Sequence, residues 1–198
     1  MRRGLFGGTF DPPHVGHLMI AEVARETLSL DVVEFIPARQ PPHKLCIRHT
    51  PARDRLALVQ TAIESFTSFQ VSQVEILRDG PSYTFNTVSY FRETFPNDEL
   101  WWLVGADMLN DFPNWHRADE LSQMITLVAA PRPHFDLQLE ARQFCERFPG
   151  ANVVCLDMPE LDIASTWIRE RLRKGLRIDP LLPRDVYEQI VSEGLYLD

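Results

Sequence analysis

Cysteine is scarce: Cys46, Cys145 and Cys155 form an odd, widely spaced set with no C-x-x-C pair. A disulfide framework or a cysteine-built zinc site is therefore not expected, and these residues read as reduced packing groups; no structural metal is expected. No apolar run approaches the roughly 20 residues of a membrane span. Arg2 and Arg3 are not followed by the apolar stretch and small-residue cleavage site of a signal peptide, so the expected compartment is the cytoplasm. Positive charge is also in short supply, with a formal net charge of −8. That disfavours a binder of nucleic-acid polymer, which needs a basic face, while leaving room for a small nucleotide held by locally concentrated Lys, Arg and His. Neither G-x-G-x-x-G nor G-x-x-x-x-G-K-[ST] occurs, which argues against a dinucleotide-dependent dehydrogenase or a P-loop enzyme. Repeats and low-complexity tracts are absent too.

What remains is an ordinary globular composition, 44% hydrophobic and 24% charged over 198 residues. It predicts one domain spanning 1–198, with a helical C-terminal portion from about residue 165. Short apolar runs alternate with amphipathic stretches. Strands are predicted at 4–6, 32–36, 69–77, 99–104, 125–130 and 152–156. Helices are predicted at about 15–30, 53–66, 83–94, 118–123, 137–147, 165–172 and 184–192, with 105–115 as a loop. This alternation predicts an α/β fold, Rossmann-like, with a mostly parallel sheet, helices on both faces, and ligands outside the carboxyl ends of the strands. The loops at 8–17, 39–44 and 105–115, together with Arg132, are expected to converge on that edge.

The most informative stretch is Gly7-Gly8-Thr9-Phe10-Asp11-Pro12-Pro13-His14-Val15-Gly16-His17. Two glycines end the first strand and allow close backbone approach to a ligand, and the prolines fix a turn. His14 and His17 share one side of the helix entrance, where unpaired N–H groups and the macrodipole favour anions, and Gly16 relieves crowding there. The reading is a nucleotide-phosphate site.

The core H-x-G-H after a first strand resembles the nucleotidyltransferase signature. Ile163-Ala164-Ser165-Thr166-Trp167-Ile168-Arg169 resembles the second signature of the same superfamily. Pro41-Pro42-His43-Lys44, Gly80-Pro81-Ser82-Tyr83-Thr84, Gly105-Ala106-Asp107, Trp115, Arg117, Arg132-Pro133 and Leu181-Leu182-Pro183 extend the likeness over nearly the whole chain, to the bacterial nicotinate mononucleotide adenylyltransferases. The resemblance implies transfer of AMP from ATP to nicotinate mononucleotide, with Mg²⁺ accompanying ATP and held mostly by phosphates and water rather than by protein ligands. It implies catalytic roles for His14, His17 and Arg169. It also implies an ATP site of Gly7, Gly8, Thr9, Phe10, His14, Gly16, His17, Gly105, Asp107, Ser165, Thr166 and Arg169. Lys44 and Arg132 are implied for the mononucleotide phosphate, Trp115 for its ring and Thr84 for its carboxylate. Two positions depart from the family pattern: Ala164 stands where Ser is common, leaving Ser165 and Thr166 to cap the helix, and Asn86 stands where Asp is common. The alternatives are an adenylyltransferase for nicotinamide mononucleotide or phosphopantetheine, or a non-catalytic nucleotide-binding module. A homo-oligomer is compatible with the sequence.

Overall fold

In a computed structural model, the structure describes residues 1–42 and 49–197. Six strands form one sheet: β1 (Arg2–Gly8), β2 (Val32–Pro37), β3 (Phe69–Val71), β4 (Glu99–Gly105), β5 (Thr126–Ala130) and β6 (Asn152–Cys155). Their order is β3-β2-β1-β4-β5-β6, and every neighbouring pair is parallel. Helices occupy the crossovers and both faces: α1 (Val15–Leu28), α2 (Ala52–Ile63), α3 (Val74–Leu77), α4 (Thr84–Thr94), α5 (Ala106–Asp111), α6 (Ala118–Met124), α7 (Leu137–Arg147), α8 (Ser165–Arg173) and α9 (Arg184–Glu193).

The period of two along each strand divides the apolar side chains between two cores. Phe6, Trp101, Leu103 and Val128 face the layer of α1, α2, α8 and α9. Leu5, Trp102, Val104 and Leu127 face the layer of α4, α5, α6 and α7. The nearly unbroken hydrophobic runs of these strands are thus explained by burial on both faces.

The strand order reverses direction at β1, because one crossover series leads outward through β2 and the other through β4. This leaves a crevice beyond the strand ends at Gly8 and Gly105, the usual ligand position in open α/β sheets.

Two expectations are corrected. The predicted strand 69–77 stops at Val71: Ser72 donates its N–H to Phe35 O at 2.8 Å as the last bond to the neighbouring strand, and its hydroxyl accepts from Val74 N at 3.4 Å. The chain then turns into α3. The predicted loop 105–115 contains α5 and a following 3₁₀ turn, Phe112–Asn114. Burial of Ala106, Leu109 and Phe112 stabilises these short turns, which span too few residues to display helical periodicity in sequence.

Candidate active site

The loop from β1 to α1 forms the centre of the crevice. The two glycines that lead into it, Gly7 and Gly8, are also required by packing. A Cβ on Gly7 would lie 2.5 Å from the Trp102 ring, and one on Gly8 would lie 2.9 Å from the Phe10 ring. Phe10 is buried with its backbone at φ +49°, and its ring meets the edge of His17 at a centroid distance of 5.0 Å.

The backbone N–H of His14 donates to His17 Nδ1 at 3.2 Å. In its neutral form His17 therefore carries its proton on Nε2, which makes that atom a hydrogen-bond donor. The two imidazoles stack at 3.7 Å. Gly16 provides the space for this arrangement, since a Cβ there would sit 3.0 Å from His14 Nδ1. Burial, reinforced by the Arg132 guanidinium, lowers His14 from its ordinary 6.5 to about 3. Burial, the neighbouring His14 and Arg132 likewise hold His17 well below the usual histidine range. Both rings are neutral at pH 7 in the free protein.

The start of α8 is tied to the same loop from far along the chain. Ser165 Oγ donates to Pro12 O at 2.8 Å, and Arg169 donates to Asp11 O at 2.5 Å and to Thr166 Oγ1 at 3.3 Å. The expectation that Ser165 and Thr166 cap the helix is not met. Ala164 is the N-cap residue and has no side-chain acceptor to offer, while Ser165 and Thr166 lie inside the first turn with their hydroxyls bonded to Pro12 O and Arg169.

Asp107, in the first turn of α5, lies with Oδ1 3.8 Å from Arg132 Nε. Gly105 makes room for this pair: a Cβ there would be 2.4 Å from Asp107 Oδ1 and 2.9 Å from Arg132 Nε.

Two cavities meet along this wall. The first, about 450 Å³, is bordered by Asp11, His14, His17, Ser165, Thr166 and Arg169. The second, about 540 Å³, is bordered by Pro41, Pro42, Tyr83, Thr84, Trp115 and His116. Thr9, Phe10, His17, Asp107 and Arg132 border both. Gly7, Gly8 and Gly105 border the second only, and Gly16 supports His14 from behind. Lys44 lies outside the described residues. Asn86 is exposed on α4 and borders neither cavity.

In the second cavity Trp115 is half-buried, packs on Phe112 at 5.0 Å and donates from Nε1 to Asp111 at 3.3 Å. Thr84 is the first residue of α4, and Tyr83 occupies the N-cap position without a side-chain capping bond.

Several further residues shape the site. Tyr83 and His116 stack at 4.5 Å beside Trp115, a pairing that sequence spacing does not reveal. Arg55 is 1% exposed and donates to Thr9 O at 2.6 Å, Ala38 O at 2.6 Å and Thr50 O at 2.9 Å. It thereby joins the end of β1 to both ends of the loop after β2. In sequence it reads as one more charge on an amphipathic helix. Asp11 adds to the joint by accepting from Thr50 N at 3.4 Å and contacting His49 Nδ1 at 3.3 Å.

A parallel sheet with this order and two adjoining cavities at its switch point, one floored by H-x-G-H and an uncapped helix start, suits two phosphate-bearing ligands. Residues 5–171 match the family described as cytidylyltransferase-like, and the chain belongs to that family of nucleotidyltransferases. Within it, the chain groups with the nicotinate-nucleotide adenylyltransferases. It is 39% identical over 193 residues to the nicotinate-nucleotide adenylyltransferase of Bacillus subtilis (strain 168), covering 98% of this chain and 97% of the relative. It is 41% identical over 196 residues to a probable nicotinate-nucleotide adenylyltransferase of Exiguobacterium sibiricum, covering 99% of each. The fold also matches the Plasmodium falciparum nicotinic acid mononucleotide adenylyltransferase complexed with APC. That match has a TM-score of 0.82 at 18% identity and covers 98% of this chain and 96% of the other.

Proposed function

We propose that this protein transfers AMP from ATP to nicotinate mononucleotide, forming nicotinate adenine dinucleotide and pyrophosphate. A phosphate oxygen of the mononucleotide attacks the α-phosphorus of ATP. A new P–O bond forms there as the bond to the bridging oxygen of the β-phosphate breaks, and pyrophosphate departs with that electron pair. The attacking phosphate has a second pKa of about 6 and is largely ionised near neutrality, so no side-chain base is needed. Positioning and charge stabilisation carry the catalysis.

The observation that supports this reading best is the shared wall of the two cavities, where His17, Asp107 and Arg132 border both. In this reading ATP occupies the first cavity. His17 donates from Nε2 to a phosphate oxygen, His14 supports the ring by stacking, and Arg169 with the start of α8 holds the departing pyrophosphate. The mononucleotide occupies the second cavity, with its phosphate toward Arg132, its pyridine ring against Trp115 and its carboxylate near Thr84. Lys44, two residues beyond Pro42 in the sequence, is assigned a supporting phosphate contact.

Mg²⁺ fits this site as an ion brought with the nucleotide. Among the described residues no cluster of three or more His, Cys, Asp and Glu is arranged to hold a metal. Asp11 Oδ1 and Asp107 Oδ1, in residues that border the first cavity, are buried without hydrogen-bond partners among the described residues. Such hard oxygen donors suit a water-shelled Mg²⁺ whose main ligands are phosphate oxygens. When bound, the ion supplies charge neutralisation on the polyphosphate.

Pyrophosphate release is to be measured with Mg-ATP and, in turn, nicotinate mononucleotide, nicotinamide mononucleotide and phosphopantetheine. Turnover should be greatest with the acid mononucleotide. Turnover with none of the three overturns the enzymatic reading, and preference for either of the others overturns the assigned acceptor.

A further inference from the structure

Among the described residues, five non-glycine residues adopt positive φ: Phe10, Ser29, Arg117, His134 and Tyr196. This conformation costs free energy for any side chain beyond glycine and persists where surrounding contacts compensate. Four of the five show their compensation. Phe10 is buried, and Tyr196 packs against the core. Ser29 ends α1 with its N–H on the carbonyls of Arg25 and Glu26. Arg117 lies 3.8 Å over the Phe85 ring and pairs with Glu120.

His134 is different. It is exposed at φ +70°, and it makes no hydrogen bond, ion pair or ring contact with the other described residues. Its backbone is the third position of a turn closed by Phe135 N donating to Arg132 O at 3.2 Å. Proline at the second position and positive φ at the third are the pattern of a type II turn, whose third position ordinarily favours glycine. Here that position carries a histidine, and the residue borders the first cavity.

The lining of this cavity combines polar groups, among them His14, His17, Ser165, Thr166 and Arg169, with apolar surface from Pro133, Phe135, Ile163 and Ala164. His134 lies between two of those apolar residues. A flat aromatic ring beside apolar surface suits the face of a nucleobase, while the polar groups suit a polyphosphate.

Resting on the reading of this cavity as the ATP site, we infer that His134 is a nucleobase contact that raises affinity for the purine nucleotide, the bound base supplying the packing that its strained backbone lacks in the free protein. It is a specificity-determining residue outside the phosphate machinery.

The test compares the wild type with His134→Gly for binding of Mg-ATP and of magnesium tripolyphosphate by calorimetry, alongside thermal unfolding without ligand. Glycine satisfies the turn and removes only the ring. The variant should bind ATP about five- to tenfold more weakly, the range expected for losing a modest base–aromatic contact, with tripolyphosphate affinity unchanged. Its unliganded Tm should not fall, because the backbone change relieves strain. Unchanged ATP affinity, an equal loss for both ligands, or a lowered Tm each overturns the inference. A wild-type protein that fails to bind ATP overturns instead the reading of the cavity as a nucleotide site.

Discussion

The buried histidine pair makes stability depend on pH, and the structure sets both sign and size. His14 is lowered from 6.5 to about 3, so between those values the unfolded chain binds a proton that the native site refuses. Stability therefore rises with pH through this window and is lost as pH falls below about 6.5. At 1.36 kcal/mol per pKa unit, lowering pH from 7 to 5 removes about 2 kcal/mol through His14 alone. His17 is lowered as well and adds a loss of the same sign. The perturbation is His14→Asn, chosen because Asn serves well at the helix N-cap that His14 occupies. Urea unfolding at pH 7, 6 and 5 should show the wild type losing about 2 kcal/mol more than the variant across that range. Burial raises the carboxyls of Glu34 and Glu75, which gives a slope of opposite sign, but both proteins share them and the contribution cancels in the difference. Parallel pH profiles for the two proteins would refute the assignment of His14 as a buried neutral group.

Two further substitutions separate scaffold from chemistry. Arg55→Met strands the carbonyls of Thr9, Ala38 and Thr50 and should cost about 3–5 kcal/mol, seen by calorimetry as a Tm lowered by roughly 10 °C or more; a drop below about 3 °C would remove Arg55 from its role as the joint. Gly105→Ala suits the backbone, at φ −82° and ψ 159°, yet places a methyl against Asp107 and Arg132. Turnover per unit KM should fall by about tenfold or more, with Tm changed by less than about 3 °C, and retained turnover would show that the Asp107–Arg132 pair is not needed where it stands.

Much of the fold was legible because burial on both faces leaves a plain mark. The apolar runs at 32–36, 99–104 and 125–130 are strands within a residue or two of prediction, since little else accommodates so many consecutive β-branched and aromatic side chains. The short elements were less visible. In α3 and α5, tertiary burial decides conformation over too few residues for a period to emerge. Within the site, the H-x-G-H stretch and Ser165 to Arg169 announced themselves by residue type and spacing, and the structure brings them together through Pro12 and Asp11 carbonyls. Gly7 and Gly8 read in sequence as room for a ligand, and the structure adds a packing requirement from Phe10 and from Trp102, the latter brought there only by the neighbouring strand.

By itself, the sequence determined the alternation of strands and helices, the two signatures and the local charge chemistry, because each is written in residues close together along the chain. Tertiary structure alone decided which groups share a wall. His17, Asp107 and Arg132 come from three separate strand–helix junctions and meet only because β1, β4 and β5 are neighbours in one parallel sheet. It also decided protonation. A histidine in a sequence has an ordinary pKa near 6.5, and the burial that lowers His14 to about 3 comes from packing around the folded site.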